Sequence, residues 1–248
     1  CTGQTVPFIF GGAGLRLKHI NIILALTVAL AISITAYHLM IKSPQARQIL
    51  LACMVVVFTA PIAAFYLVFE RHSTTRVIAV LSCIVAANVV LRQMFHGFGP
   101  TPVFFLVILS GYVFGPLPGF IVGSTTILAS NFFVGGHGPW TLLQMSGLGF
   151  IGFFAAYIPQ KRFQKITLTL YGGLSGLFFG LYTDIFSWLF FTAQYSIKTY
   201  FAVALNGMIF TLSYVIGNIV LIWFLSTPFL KVFTRFKKRL TVTIESFD

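Results

Sequence analysis

The sequence predicts an all-α integral membrane protein of about eight transmembrane helices, a six-helix bundle preceded by two extra helices. Three observations carry this. Hydrophobic residues make up 58% of the 248-residue chain and charged residues only 8%, against about a quarter charged in a soluble globular domain. The apolar residues fall into runs, several of them near the roughly 20 residues that cross a bilayer. The 16 Lys and Arg sit in short clusters between those runs. The net charge of +12 does not indicate nucleic-acid binding, because the cations form no single basic face; they follow membrane topology instead.

In chain order, the first two runs cover residues 20–41 and 48–69. The third and fourth cover 77–95 and 102–115, the fifth and sixth 117–133 and 140–158, and the last two 166–192 and 199–226. The fourth and fifth are short and join at Gly115-Pro116-Leu117-Pro118-Gly119. Proline breaks a helix, so this reads as a helical hairpin with its turn at the membrane interface. Gly111, Gly115, Gly119 and Gly123 repeat every four residues there, as do Gly172, Gly176 and Gly180 later. Small residues at that spacing let helices approach closely in lipid.

With the N-terminus inside and eight alternating spans, the cytoplasmic segments hold 12 Lys and Arg. The outer segments hold Lys42, Arg47, Arg92 and Lys198, which accounts for all 16. The positive-inside rule then expects a multi-pass cell-membrane protein with both termini cytoplasmic. The segment Glu70–Arg76 marks a boundary. Residues 1–70 read as a two-helix extension, 71–232 as the six-helix core, and 233–248 as a basic cytoplasmic tail. Its cations are those of a membrane stop and lipid anchor.

Catalytic motifs are sparse. No G-x-x-x-x-G-K-[ST] occurs, so an ATPase motif is lacking, and no His-Glu-x-x-His occurs. Gly173-Leu174-Ser175-Gly176 matches the Gly-x-Ser-Gly of intramembrane serine proteases, but no His follows His137 to serve as base. The five His do not cluster, and Cys1, Cys53 and Cys83 lack metal-ligand spacing. The expectation is therefore a non-enzyme without metal or cofactor.

One charge stands out. Of the four acids, only Asp184 lies within a span, and a carboxylate there is a functional candidate by default. Its structural alternative is an ion pair with Arg92 or a helix-packing hydrogen bond. In the topology above, Asn88, Arg92, Asn131, Gln144 and Asn206 lie at similar depth on other helices, with Phe95, Phe132, Trp140, Trp188 and Tyr195 near the same level. Polar groups converging among aromatics make a small-molecule pocket. Taken singly, the aromatics are more commonly residues of an interfacial belt. The expected substrate-binding set is Asn88, Arg92, Phe95, Asn131, Trp140, Gln144, Asp184, Trp188 and Asn206.

Residues 76–230 resemble the substrate-binding S component of energy-coupling factor (ECF) type vitamin transporters. The resemblance is carried by Phe105–Pro116, by Gly119-Phe120-Ile121-Val122-Gly123, and by Gly138-Pro139-Trp140-Thr141 with Gln144-Met145. It implies a six-helix subunit of an ABC-type importer that captures a vitamin or related micronutrient outside. Its implied partners are a coupling transmembrane subunit and two ATPases. Members often carry Ala-x-x-x-Ala on the first core helix for docking. Here the matching positions are Ala79, Ser82, Cys83, Ala86 and Ala87, and the two N-terminal helices depart from the family pattern. Few cations lie at pocket level, which favours a neutral or weakly charged heterocycle; among the family's vitamins cobalamin is the expectation, with a purine-like compound or other vitamin precursor beside it. The rival reading is a stand-alone secondary transporter or channel with Asp184 as proton or cation relay.

Overall fold

The computed structural model describes residues 59, 62–63, 65–67, 69, 73–95, 102–138, 140–160, 163–192, 194 and 196–245, with side chains through Leu240. Among the described residues there is no strand. The helices are α1 (Thr75–Met94), α2 (Val103–Phe114), α3 (Pro116–Ser130), α4 (Trp140–Ala155), α5 (Gln164–Phe191) and α6 (Ile197–Glu245). The run expected over 20–41 and most of the next lie outside the described residues. The end of the second run is helical at its described positions and packs on the core. Phe65 stacks on Phe120 at 4.0 Å between ring centroids, and the Tyr66 hydroxyl lies 2.5 Å from Thr125 Oγ1.

Three helices are long and apolar enough to cross a membrane, over Thr75–Met94, Gln164–Phe191 and Ile197–Leu240. The other three are apolar but have only 12, 15 and 16 residues. At 1.5 Å per residue α2 is about 18 Å long, well short of a hydrocarbon core of about 30 Å. Of the eight spans expected, the described residues thus supply three of full length and three short helices.

The expected hairpin is present. Helix α2 stops at Phe114 and α3 starts at Pro116, where a missing N–H costs nothing. Gly115 between them has φ +116°, a conformation in which a Cβ would be strained. The small-residue seam has a narrower use than its periodicity suggests, since Gly115 makes the turn while its neighbours pack. A Cβ built on Gly111 or on Gly119 would overlap the Gly152 carbonyl, and one on Gly123 would lie 2.7 Å from the Leu148 carbonyl carbon. Helices α2, α3 and α4 therefore touch backbone to backbone. All twelve residues of α2 are buried, so it is the central rod of the bundle.

Helices α5 and α6 form an antiparallel pair along the second seam. Gly172 faces Ile222, Gly176 faces the Tyr214 backbone, Gly180 faces Thr211, and Gly207 faces Asp184. The eighth span was expected to end near residue 226, with a separate tail after it. Instead α6 is one 49-residue helix with Pro228 inside it. An interior proline costs about 3 kcal/mol. Packing of the distal half offsets that, through Phe229 against Phe105 at 5.1 Å and Phe233 against Phe114 at 5.6 Å.

Candidate functional site

The site is built on a register match between α1 and α3. Asn88 and Arg92 are one turn apart on α1, and Thr126 and Ser130 are one turn apart on α3. Asn88 Nδ2 donates to Thr126 Oγ1 at 3.2 Å, and Arg92 Nη1 donates to Ser130 Oγ. Both rungs join residues 38 apart in sequence, so the two helices run parallel. Arg92 Nη1 also donates to Asn131 Oδ1 at 2.6 Å.

Asn131 is the hub. It is 1% exposed, and its Nδ2 donates to Thr141 Oγ1 and Gln144 Oε1, each at 3.3 Å. The network thereby crosses from α1 through α3 to α4. A buried side-chain amide whose oxygen and nitrogen are both engaged fixes three helices in one register. The chain entering α4 is shaped around the same hub. The Gly138 N–H donates to Thr141 Oγ1 at 3.1 Å, and the Trp140 ring folds back over Gly138, where any Cβ would collide with it. That is the physical content of the Gly138, Trp140 and Thr141 pattern in the sequence.

The structure brings Asn88, Arg92, Asn131 and Gln144 together. The remaining members of the expected set lie apart from that network. Trp140 packs its ring on Phe186 of α5 at 5.9 Å, which ties α5 to the same end of the bundle. Trp188 is 8% exposed, donates from Nε1 to Thr199 Oγ1 at 2.9 Å, and clusters with Leu189 between α5 and α6. Phe95 is 42% exposed beyond the end of α1. It lines an apolar cleft of about 330 Å³ with Pro102, Ser213, Ile216 and Val220. Asn206 is exposed on the outside of α6, because the next residue, Gly207, is the one that faces α5.

Asp184 makes no ion pair with Arg92. Its carboxylate is half-buried against Gly207, and Oδ2 is shielded with no hydrogen-bond partner among the described residues. Tyr214 of α6 lies within electrostatic reach of both Arg92 and Asp184 and packs on Phe104 and Phe179. A second unsatisfied acceptor is Asn88 Oδ1 in the core. Buried acceptors without donors are uncommon in folded proteins.

Sequence reasoning missed Thr126, Ser130, Tyr182 and Tyr214, and named Thr141 only as part of the Gly138–Thr141 motif. Tyr182 sits 2.9 Å from Ser146 Oγ, joining α5 to α4. The signal for Thr126 and Ser130 was present, as a pair with the same four-residue step as Asn88 and Arg92. Nothing in the sequence marks Tyr214 apart from other span tyrosines. The five expected docking positions, Ala79, Ser82, Cys83, Ala86 and Ala87, are all exposed on one side of α1. Among the described residues no group of three His, Cys, Asp or Glu is placed to hold a metal. Comparisons with protein-family models, curated proteins and solved structures give no match for this chain.

Proposed function

We propose that the protein is the substrate-capturing membrane subunit of an ECF-type importer. In this reading it takes a compact heterocyclic micronutrient from outside and releases it inward while docked to a coupling subunit with two ATPases. Both termini then lie in the cytoplasm, and the network end faces out. The observation that carries the reading is the polar cross-link Arg92–Asn131–Gln144 through three apolar helices; the apolar Phe95 cleft and the unsatisfied carboxylate oxygen of Asp184 support it separately. An apolar cleft with few convergent polar groups suits a neutral or weakly charged ring system. A volume of about 330 Å³ suits a purine-sized molecule better than cobalamin, whose corrin ring and nucleotide loop are far larger. The exposed small-residue side of α1 supports close approach of a partner helix.

Mass spectrometry of small molecules retained by the purified protein tests this. A stoichiometric heterocycle that is released on denaturation is the expected result. Its absence, together with proton-coupled uptake by the protein alone in proteoliposomes, sinks the proposal. That outcome favours the second reading, a stand-alone transporter, for which the unpaired Asp184 Oδ2 is the specific observation.

A further inference from the structure

At the opposite end of the bundle from the polar network lies an open cavity of about 570 Å³, walled by α6, the end of α2 and the start of α5. Its α6 wall is cationic. Lys231, Arg235 and Lys238 are spaced four and three residues apart, which places them on one helix face, and all three are exposed. Thr234 adds a hydroxyl on the same wall. Tyr112 and Gln164 form the facing wall. The Tyr112 hydroxyl donates to Gln164 Oε1 at 3.1 Å, so the NH₂ of that amide is the atom left to donate.

Gln164 is also the first residue of a 28-residue helix whose N-cap, Phe163, supplies no side-chain acceptor. The first-turn N–H groups of such a helix carry partial positive charge. Asp184, the one acid with a described side chain, lies in the far half of α5. The cavity thus combines four cations, three of them exposed on one face of α6 and the fourth, Lys237, buried, with an amide donor and an uncapped helix start. Arg adds a planar fork that matches two oxygens of a phosphate.

We infer that this cavity binds a phosphate group, either the headgroup of an anionic lipid or a soluble phosphate compound. The inference does not depend on the transport reading, since it concerns the other end of the bundle. Thermal unfolding of the full chain in neutral detergent tests it with two probes. One is inorganic phosphate against chloride at equal ionic strength. The other is phosphatidylglycerol mixed micelles against phosphatidylcholine. A rise in Tm of several degrees is expected with at least one probe. A response to phosphatidylglycerol alone assigns a lipid headgroup, and a response to phosphate assigns a soluble source.

The triple variant Lys231→Gln/Arg235→Gln/Lys238→Gln should lose the response. So should Gln164→Glu, which keeps all four cations and serves if the triple variant does not fold. Arg76→Gln/Lys198→Gln removes two cations outside the cavity and should keep it. The inference is overturned if neither probe raises Tm, if the cavity variants respond like the parent, or if the control pair loses the response equally.

Discussion

Asp184 and Arg92 are the two charges that the sequence placed within or at the edge of the apolar bundle, and the structure gives them separate surroundings. Arg92 is satisfied by Ser130 and Asn131. Asp184 keeps an unpartnered oxygen against Gly207. Residues without shared contacts have nearly additive effects. Asp184→Asn should therefore weaken ligand affinity about 10- to 150-fold, the equivalent of roughly 1.5–3 kcal/mol for a charge-assisted hydrogen bond, with little change in Tm. Arg92→Gln should lower stability by about 1–3 kcal/mol, because Asn131 Oδ1 loses its donor in the core. Calorimetric binding and thermal unfolding of both single variants and the double variant check this. Recovery of stability in the double variant would mean that the two charges are partners after all.

At the scale of helices, the glycines separate into those that meet backbone and those that meet side-chain ends. Gly111→Ala should destabilise strongly, by about 1–3 kcal/mol or more, since the new methyl runs into the Gly152 carbonyl and no rotamer relieves it. Gly173→Ala meets only side chains, Ile219 Cδ1 and Cγ1 at 3.1 Å and Val215 Cγ1 at 3.9 Å, which can give way. It should be neutral or stabilising, by up to about 1 kcal/mol of helix propensity. Unfolding of the two variants in detergent distinguishes them, and equal loss in both would show that the seams are not read correctly. The sequence disclosed these seams, the Gly115 turn and the starts of α1 to α6 to within a few residues, because glycine spacing, proline and hydropathy are local signals. It disclosed the Arg92, Asn131 and Gln144 set through rarity, polar groups being few in apolar runs. It did not disclose that Asn206 faces outward or that α6 runs on past Pro228. Those depend on which face α5 covers and on Phe229 and Phe233 finding α2, and neither is written within one helix.

For the molecule as a whole, the exposed side of α1 is the face on which the proposed partner would slide. Ser82→Leu/Ala86→Leu should abolish ATP-dependent uptake while ligand binding by the isolated protein stays near that of the parent. Both positions already point away from the bundle, so the fold should tolerate the change. Uptake assays beside binding assays check this, and unchanged uptake places docking elsewhere. Finally, α2 is only 12 residues long and wholly enclosed. A segment that short cannot settle in a bilayer by itself during synthesis, and its enclosing surfaces on α4 and α6 emerge from the ribosome only later. The enclosure of α2 is therefore complete only once α6 has been made, and a chain truncated between α3 and α6 should leave its central rod uncovered.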